Sequence, residues 1–156
     1  VETANDLLLG PSLFGDYSHG QQAASILGYT PTVLNLEAYA AFTTNSAAET
    51  IGGFGFSTGS SLTATNHVAF IHCGATNFAI RSTPGTTTFI DSGAVVDTAY
   101  HLWKISLTSG STGEWFMDGV SQGTITLVTD LYPTAFSLSG TTTNEVGLAW
   151  AHVWYS

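Results

Sequence analysis

The sequence predicts an all-β fold in which two antiparallel sheets pack as a sandwich, and three observations predict it. From Val33 onward, short alternating or wholly apolar runs are cut at close intervals by Gly, Pro, Asn and Ser, which is sandwich punctuation. No stretch keeps a 3.6-residue apolar period over the length a helix needs, and no repeat of solenoid or propeller period is present. Hydrophobic residues make up 44% of the chain but charged residues only 8%, so the surface must be built from Ser, Thr, Asn, Gln and Gly. Thr is β-branched and its hydroxyl tolerates a half-wet pleated face, which favours strands. At 156 residues the chain fits one domain with a sizeable core.

The expected strands run, in order, through VLNLEAYAAF, IGGFGF, HVAFIHC, NFAIRS, TTFIDS, HLWKISL, EWFM, GTITLV, AFSLSG and VGLAWAHVWY. Between NFAIRS and TTFIDS, Pro84-Gly85 reads as a turn joining antiparallel neighbours, because Pro presets the first corner and Gly tolerates positive φ at the second. Residues 1–32 differ from the sandwich region 33–156. They mix apolar patches (Leu7, Leu8, Leu9, Leu13, Phe14, Ile26) with turn residues and show no period, so they read as an irregular arm. The apolar content predicts that the arm packs on the sandwich or on a neighbouring chain.

The net charge is −9 with only two fixed cations, Arg81 and Lys104, which argues against nucleic acid and anionic membranes as partners. No apolar run approaches the ~20 residues of a membrane helix. The start, VETANDLLLG, lacks the basic and apolar regions of a signal peptide, and a first residue of Val rather than Met fits a processed form. No Asn-x-Ser/Thr acceptor occurs, so the usual mark of eukaryotic secretion is missing. Cys73 is the only cysteine; it forms no internal disulfide and is expected to be a buried thiol.

The stretch GEWFMDGVSQGTI places Glu114 and Asp118 near aromatic residues, as a glycosidase site would. The turn reading is stronger. Asp118-Gly119 lies between apolar runs, and a type I′ hairpin turn needs positive φ at both corners. On an extended strand the two carboxylates would lie about 13 Å apart at ~3.3 Å per residue. Glycosidase pairs lie about 5 to 9.5 Å apart.

AYHLWKISL, GEWFMDGVSQGTI and EVGLAWAHVWYS together resemble the last third of a concanavalin A-like lectin/glucanase domain, of which laminin G-like modules are one branch. The resemblance covers residues 98–156 by motif and 33–97 by strand rhythm. It implies an antiparallel jelly-roll β-sandwich. The glucanase branch carries Glu-x-Asp-x-x-Glu or Glu-x-Asp-x-Glu on one strand, and this chain has neither; Glu37 in NLEAYAAF has no second acid on its strand. No catalytic residue, metal site or cofactor is therefore expected. The lectin branch's calcium loops would find only Asp91 and Asp97 in DSGAVVD, too few ligands.

GFSTG matches the Gly-x-Ser-x-Gly elbow around Ser57, with Asp118 and His152 following in order, but STGSSLTATN cannot supply the helix an elbow requires. His67 and His72 fall on opposite faces of one strand, and His67 and Cys73 are about 20 Å apart at ~3.3 Å per residue, so that strand alone makes no zinc site. In the last strand, alternation separates Ala149, Ala151 and Val153 from Trp150, His152 and Trp154. The resemblance turns the small set inward. The outer stripe then needs a cover, either Leu13 and Phe14 of the arm, another subunit or a sugar, and is the expected binding surface.

These residues lead to a non-enzymatic surface or assembly module, homo-oligomeric or part of a larger assembly through its arm, with surface glycans as further partners. By fold analogy the setting is a virion, as phage capsid decoration or fibre, or another extracellular structure. A free carbohydrate-binding lectin is the alternative, and a glycoside hydrolase the third reading.

Overall fold

The computed structural model describes residues 7–9, 18–22, 32–42, 53–57, 67–73, 76–82, 88–108, 112–126, 135–139 and 146–155, some of them by backbone alone. Their regular elements are twelve strands: β1 (Leu7–Leu9), β2 (Ser18–Gln22), β3 (Val33–Phe42), β4 (Gly53–Ser57), β5 (His67–Cys73), β6 (Asn77–Ser82), β7 (Thr88–Val95), β8 (His101–Thr108), β9 (Thr112–Met117), β10 (Val120–Thr126), β11 (Ala135–Ser139) and β12 (Val146–Tyr155). They form two six-stranded sheets, A in the order β1-β12-β3-β8-β9-β10 and B in the order β2-β11-β4-β5-β6-β7. Every pairing is antiparallel. The fold is the all-β sandwich that the alternation predicts. Among the described residues no helix is long and apolar enough to cross a membrane.

The expected strands VLNLEAYAAF, HVAFIHC, NFAIRS and VGLAWAHVWY have the observed bounds of β3, β5, β6 and β12. The lead-in differs from its expected irregularity. Leu7–Leu9 pairs with β12 and Ser18–Gln22 with β11, so each of these short pieces closes one edge of a sheet. Pairing through backbone hydrogen bonds needs no side-chain period, which is why the sequence does not reveal them. Pro84-Gly85 lies outside the described residues, but the strands it would join are paired, with Ser82 opposite Thr88.

Large apolar side chains from both sheets fill the space between them. Leu34, Leu36, Ala38, Ala40 and Phe42 of β3 alternate inward, as do Trp103, Ile105 and Leu107 of β8; Phe54, Phe56, Ile71, Phe78 and Ile80 come from sheet B. Trp103 is central and fully buried. Its ring lies 4.9 Å from Phe78 and 6.1 Å from Phe42 and Phe54, stacks on Trp115 at 6.4 Å, and its Nε1 donates to the carbonyl of Ala40 at 3.1 Å. One residue thus ties the two sheets together while its only polar side-chain atom is satisfied within the strand next door.

The β9–β10 connection is the two-residue hairpin that Asp-Gly predicts. Met117 pairs with Val120, and Asp118 and Gly119 both take positive φ, 51° and 81°.

Candidate functional site

Residues paired across an antiparallel ladder point to the same side, so the registers of sheet A assemble its outer face. With Leu36, Ala38, Trp103 and Ile105 turned inward, Glu37, Tyr39, Leu102 and Lys104 turn outward. The central row runs His152, Glu37, Lys104, Phe116 and Ser121 across β12, β3, β8, β9 and β10. To one side lies the row Trp154, Asn35, Ser106, Glu114 and Thr124, and to the other Trp150, Tyr39 and Leu102.

Glu37, Leu102, Lys104, Phe116 and Gly119 line a depression of about 280 Å³. Phe116 is the aromatic member of its lining, and further aromatic contacts lie along the same face. Lys104 Nζ stands 5.8 Å from the centre of the Phe116 ring, His152 stacks on Trp154 at 4.9 Å, and Tyr39 meets Tyr100 at 5.2 Å. Tyr39, Tyr100 and Leu102 are among the most exposed large apolar residues of the described chain, at 40%, 37% and 38%. The depression therefore sets an acceptor, the Glu37 carboxylate, beside a donor, the Lys104 ammonium, next to the flat apolar face of Phe116.

Trp150, His152 and Trp154 lie on this outer face, each half-buried. The inward set is not the expected one. A bulge between Leu148 and Trp150 shifts the alternation, so Val146, Leu148, Ala151 and Val153 are buried while Ala149 is only half-buried. Leu13 and Phe14, the expected cover, lie outside the described residues. Leu7–Leu9 runs along the free edge of β12, with Leu8 opposite His152.

The other sequence candidates do not assemble into the constellations their spacing suggests. Glu114 accepts from Ser121 Oγ at 2.7 Å, while Asp118 is engaged with His101. Ser57 belongs to sheet B and His152 to sheet A, and the carboxylate of Asp118 meets His101 rather than His152. Asp91 accepts from the backbone of Gly93 and the side chain of Asn77, and Asp97 from the backbone of Ala99 and from His101, so the two acids have separate partners. Among the described residues no group of three His, Cys, Asp or Glu side chains could hold a metal ion. His72 bonds the carbonyl of Cys73 at 2.9 Å, and Cys73 faces the core, where burial pushes its thiol up to about 12. The side chain of His67 is outside the described set.

Sequence reading names Asp97 and Asp118 separately but misses His101, on which both converge. His101 places Nδ1 2.6 Å from Asp118 Oδ2 and Nε2 3.0 Å from Asp97 Oδ1. Asp118 also accepts from the backbone N–H of Leu102 at 2.9 Å, and its own N–H donates to the Leu102 carbonyl at 2.8 Å. Burial disfavours the His101 cation, but its hydrogen bonds to Asp118 and Asp97 outweigh that and hold the imidazole above its ordinary value. Burial likewise pulls Asp97 and Asp118 upward, and the bonds from His101 and the backbone reverse the effect, holding both below the usual carboxylate value.

The outer face of sheet B is less open where it is described. Phe70 and Arg81 form one cross-strand pair there and His72 and Ala79 the next. Phe70 and His72 are only 1% and 6% exposed, and the Phe70 ring lies over Gly53.

No protein-family model and no curated protein matches the sequence. Solved structures do match the fold. The galectin LEC-6 of Caenorhabditis elegans superposes with a TM-score of 0.60 at 12% identity, over 99% of this chain and 99% of its own. A botulinum neurotoxin type C structure, from a toxin whose entry into cells depends on interaction with two ganglioside molecules, gives 0.54 at 7% identity, over 96% of this chain and 42% of its own. A sialidase gives 0.57 at 9% identity, over 81% of this chain and 14% of its own. At these identities the likeness is one of fold: a β-sandwich shared with lectin-like binding domains.

Proposed function

We propose that this chain is a non-enzymatic binding module that recognises a glycan on the outer face of sheet A. One observation carries the reading: Glu37 and Lys104 are cross-strand neighbours lining a depression bordered by Phe116, with the stacked His152 and Trp154 beside it. A sugar ring presents hydroxyls that both donate and accept, and C–H faces that pack on aromatic rings. A carboxylate and an ammonium side by side, next to the flat ring of Phe116, match both properties. The full-length likeness to a galectin supports the reading, as does the likeness to a toxin that interacts with gangliosides. Membership of the concanavalin A-like superfamily, on its laminin G-like branch, belongs to the same proposal and rests on the motifs of β8 to β10 and β12.

Absence of catalysis is part of it. The ladder partners of Glu37 are His152 and Lys104, neither of them a second carboxylate. Two acids at the spacing of a glycosidase pair are what hydrolysis would require. The test is a glycan array probed with the wild-type chain, Glu37→Gln, Trp154→Ala and, on the other sheet, Arg81→Ala. Capture of a defined glycan set is expected, weakened about tenfold by either sheet A substitution, equivalent to ~1.4 kcal/mol, and unchanged by Arg81→Ala. No capture, or loss only with Arg81→Ala, would reject the assignment.

A second reading is favoured by the exposed apolar group Tyr39, Tyr100 and Leu102. It makes the same face a protein contact in a virion or other extracellular assembly, with the N-terminal arm contributing. Light scattering of Leu102→Ser against wild type decides it. An oligomer that falls to monomer supports this reading, and a wild-type monomer at high concentration rejects it.

A further inference from the structure

We infer that His101 is a pH-sensitive latch that holds the segment from Asp97 to Tyr100 at the start of β8, where Tyr100 packs on Tyr39 of the outer face of sheet A, beside the depression. Donor counting fixes the charge of the ring. Both ring nitrogens of His101 face carboxylate oxygens, at 2.6 Å from Asp118 and 3.0 Å from Asp97. A carboxylate only accepts, and a neutral imidazole carries a single N–H. The two bonds therefore exist together only in the imidazolium form. Among the described residues the other rings packed on His101, Phe78 of β6 and Trp103 of β8, carry no charge, so Asp97 and Asp118 are the charged groups that face it.

The two bonds are unequal, and the inequality names the part that moves. Asp118 is fixed in its turn by reciprocal bonds with the backbone of Leu102, and its contact with His101 is the shorter. Asp97 belongs to the connection between β7 and β8 and has a side chain 53% exposed. When the imidazolium loses a proton, the remaining N–H stays on Nδ1 toward Asp118, and Nε2 turns a lone pair toward the Asp97 oxygen. That contact becomes repulsive. The segment that leaves with Asp97 contains Tyr100, whose ring packs on Tyr39 at 5.2 Å, and Tyr39 lies next to Leu102, which lines the depression. The latch thus connects one protonation event to the shape of one wall of the candidate site. The effect on ligand binding rests on the glycan reading above, whereas the latch itself does not.

The test uses the ligand-free full chain, with imidazole ¹⁵N shifts and ring-to-ring nuclear Overhauser effects followed by NMR from pH 5 to 9. Below the transition both His101 nitrogens should carry protons and the Tyr39 and Tyr100 rings should be in contact. The histidine should titrate above the ordinary value, and the two tyrosine rings should separate over the same step. Asp97→Ala should lower the midpoint and keep the rings apart at every pH. A His101 that is a neutral tautomer at pH 5.5, a tyrosine pair indifferent to the titration, or an Asp97→Ala chain with a wild-type midpoint would each overturn the latch. If the latch holds while no glycan is captured at any pH, the functional reading fails and this one stands.

Discussion

Replacing Asp118 by Ala and by Asn separates the three jobs that the structure gives this residue. It occupies a left-handed corner at φ 51°, accepts the Leu102 N–H at 2.9 Å, and pairs with His101 at 2.6 Å. Alanine loses all three. Left-handed backbone costs Ala about 1 kcal/mol more than a residue that tolerates it, and the lost hydrogen bond about 1 kcal/mol. The ion pair adds about 0.5 kcal/mol, a value kept small because the Asp118 side chain is 52% exposed. The expected loss is about 2.5 kcal/mol, or roughly 5 to 10 °C in Tm for a domain of this size. Asparagine tolerates the same corner and keeps an oxygen for Leu102, so it loses only the charge, about 0.5 kcal/mol. Urea denaturation of both variants at pH 6 measures the difference. Equal damage from Ala and Asn would show that charge, not turn geometry, holds the hairpin; an Ala variant within about 0.5 kcal/mol of wild type would show that Gly119 and the strands suffice.

Three further outcomes follow from the same geometry. A Cβ on Gly113 would meet Leu107 Cδ2 at 2.6 Å and Ile125 Cγ1 at 2.9 Å, so Gly113→Ala should cost about 1 to 3 kcal/mol in a melting experiment through overpacking. Cys73, buried and pushed up to about 12, should resist a thiol reagent at pH 8 in the native chain and react fully in urea. The His101 cluster gives stability a pH window. The imidazole is raised in the folded chain, so its contribution is complete below its unfolded value near 6.5 and is lost as pH rises through the folded value. The two carboxylates are lowered, so theirs is present above their unfolded value near 3.9 and is lost as pH falls through the folded values. Stability should therefore peak between about pH 4 and 6.5; in His101→Gln the alkaline limb should flatten and the acid limb shrink to the part that the backbone bonds of Ala99 and Leu102 sustain, as read by Tm across a pH series.

How much of this is written locally in the chain differs from strand to strand. β3, β5, β6 and β12 are legible to the residue because each is an apolar or alternating run between turn formers, and the Asp118-Gly119 hairpin because its chemistry is confined to two positions. β7 runs beyond TTFIDS through Gly93, whose φ of 73° marks a bulge between the pairs Ala79–Asp91 and Asn77–Val95, after which the ladder resumes. β10 begins at Val120 rather than at Gly123, since the hairpin, not the apolar content of SQGT, sets its start. The bulge in β12 sends Leu148 rather than Ala149 inward, and nothing in LAWA announces it. The candidate site is half legible. The Trp150, His152 and Trp154 stripe follows from alternation on one strand. Glu37, Lys104 and Phe116 come together only through the register of strands far apart in sequence, and that register is set by core packing. The same holds for His101, whose partners lie 4 and 17 residues away on either side.

Whether the outer face of sheet A is the binding face is decided most plainly by NMR mapping of a captured glycan onto the backbone amides. Titration should move the signals of Glu37, Lys104, Phe116, His152 and Trp154 together, with one dissociation constant, and leave those of Phe70, His72 and Arg81 in place. Movement confined to Phe70, His72 and Arg81 would contradict the assignment and transfer the site to sheet B.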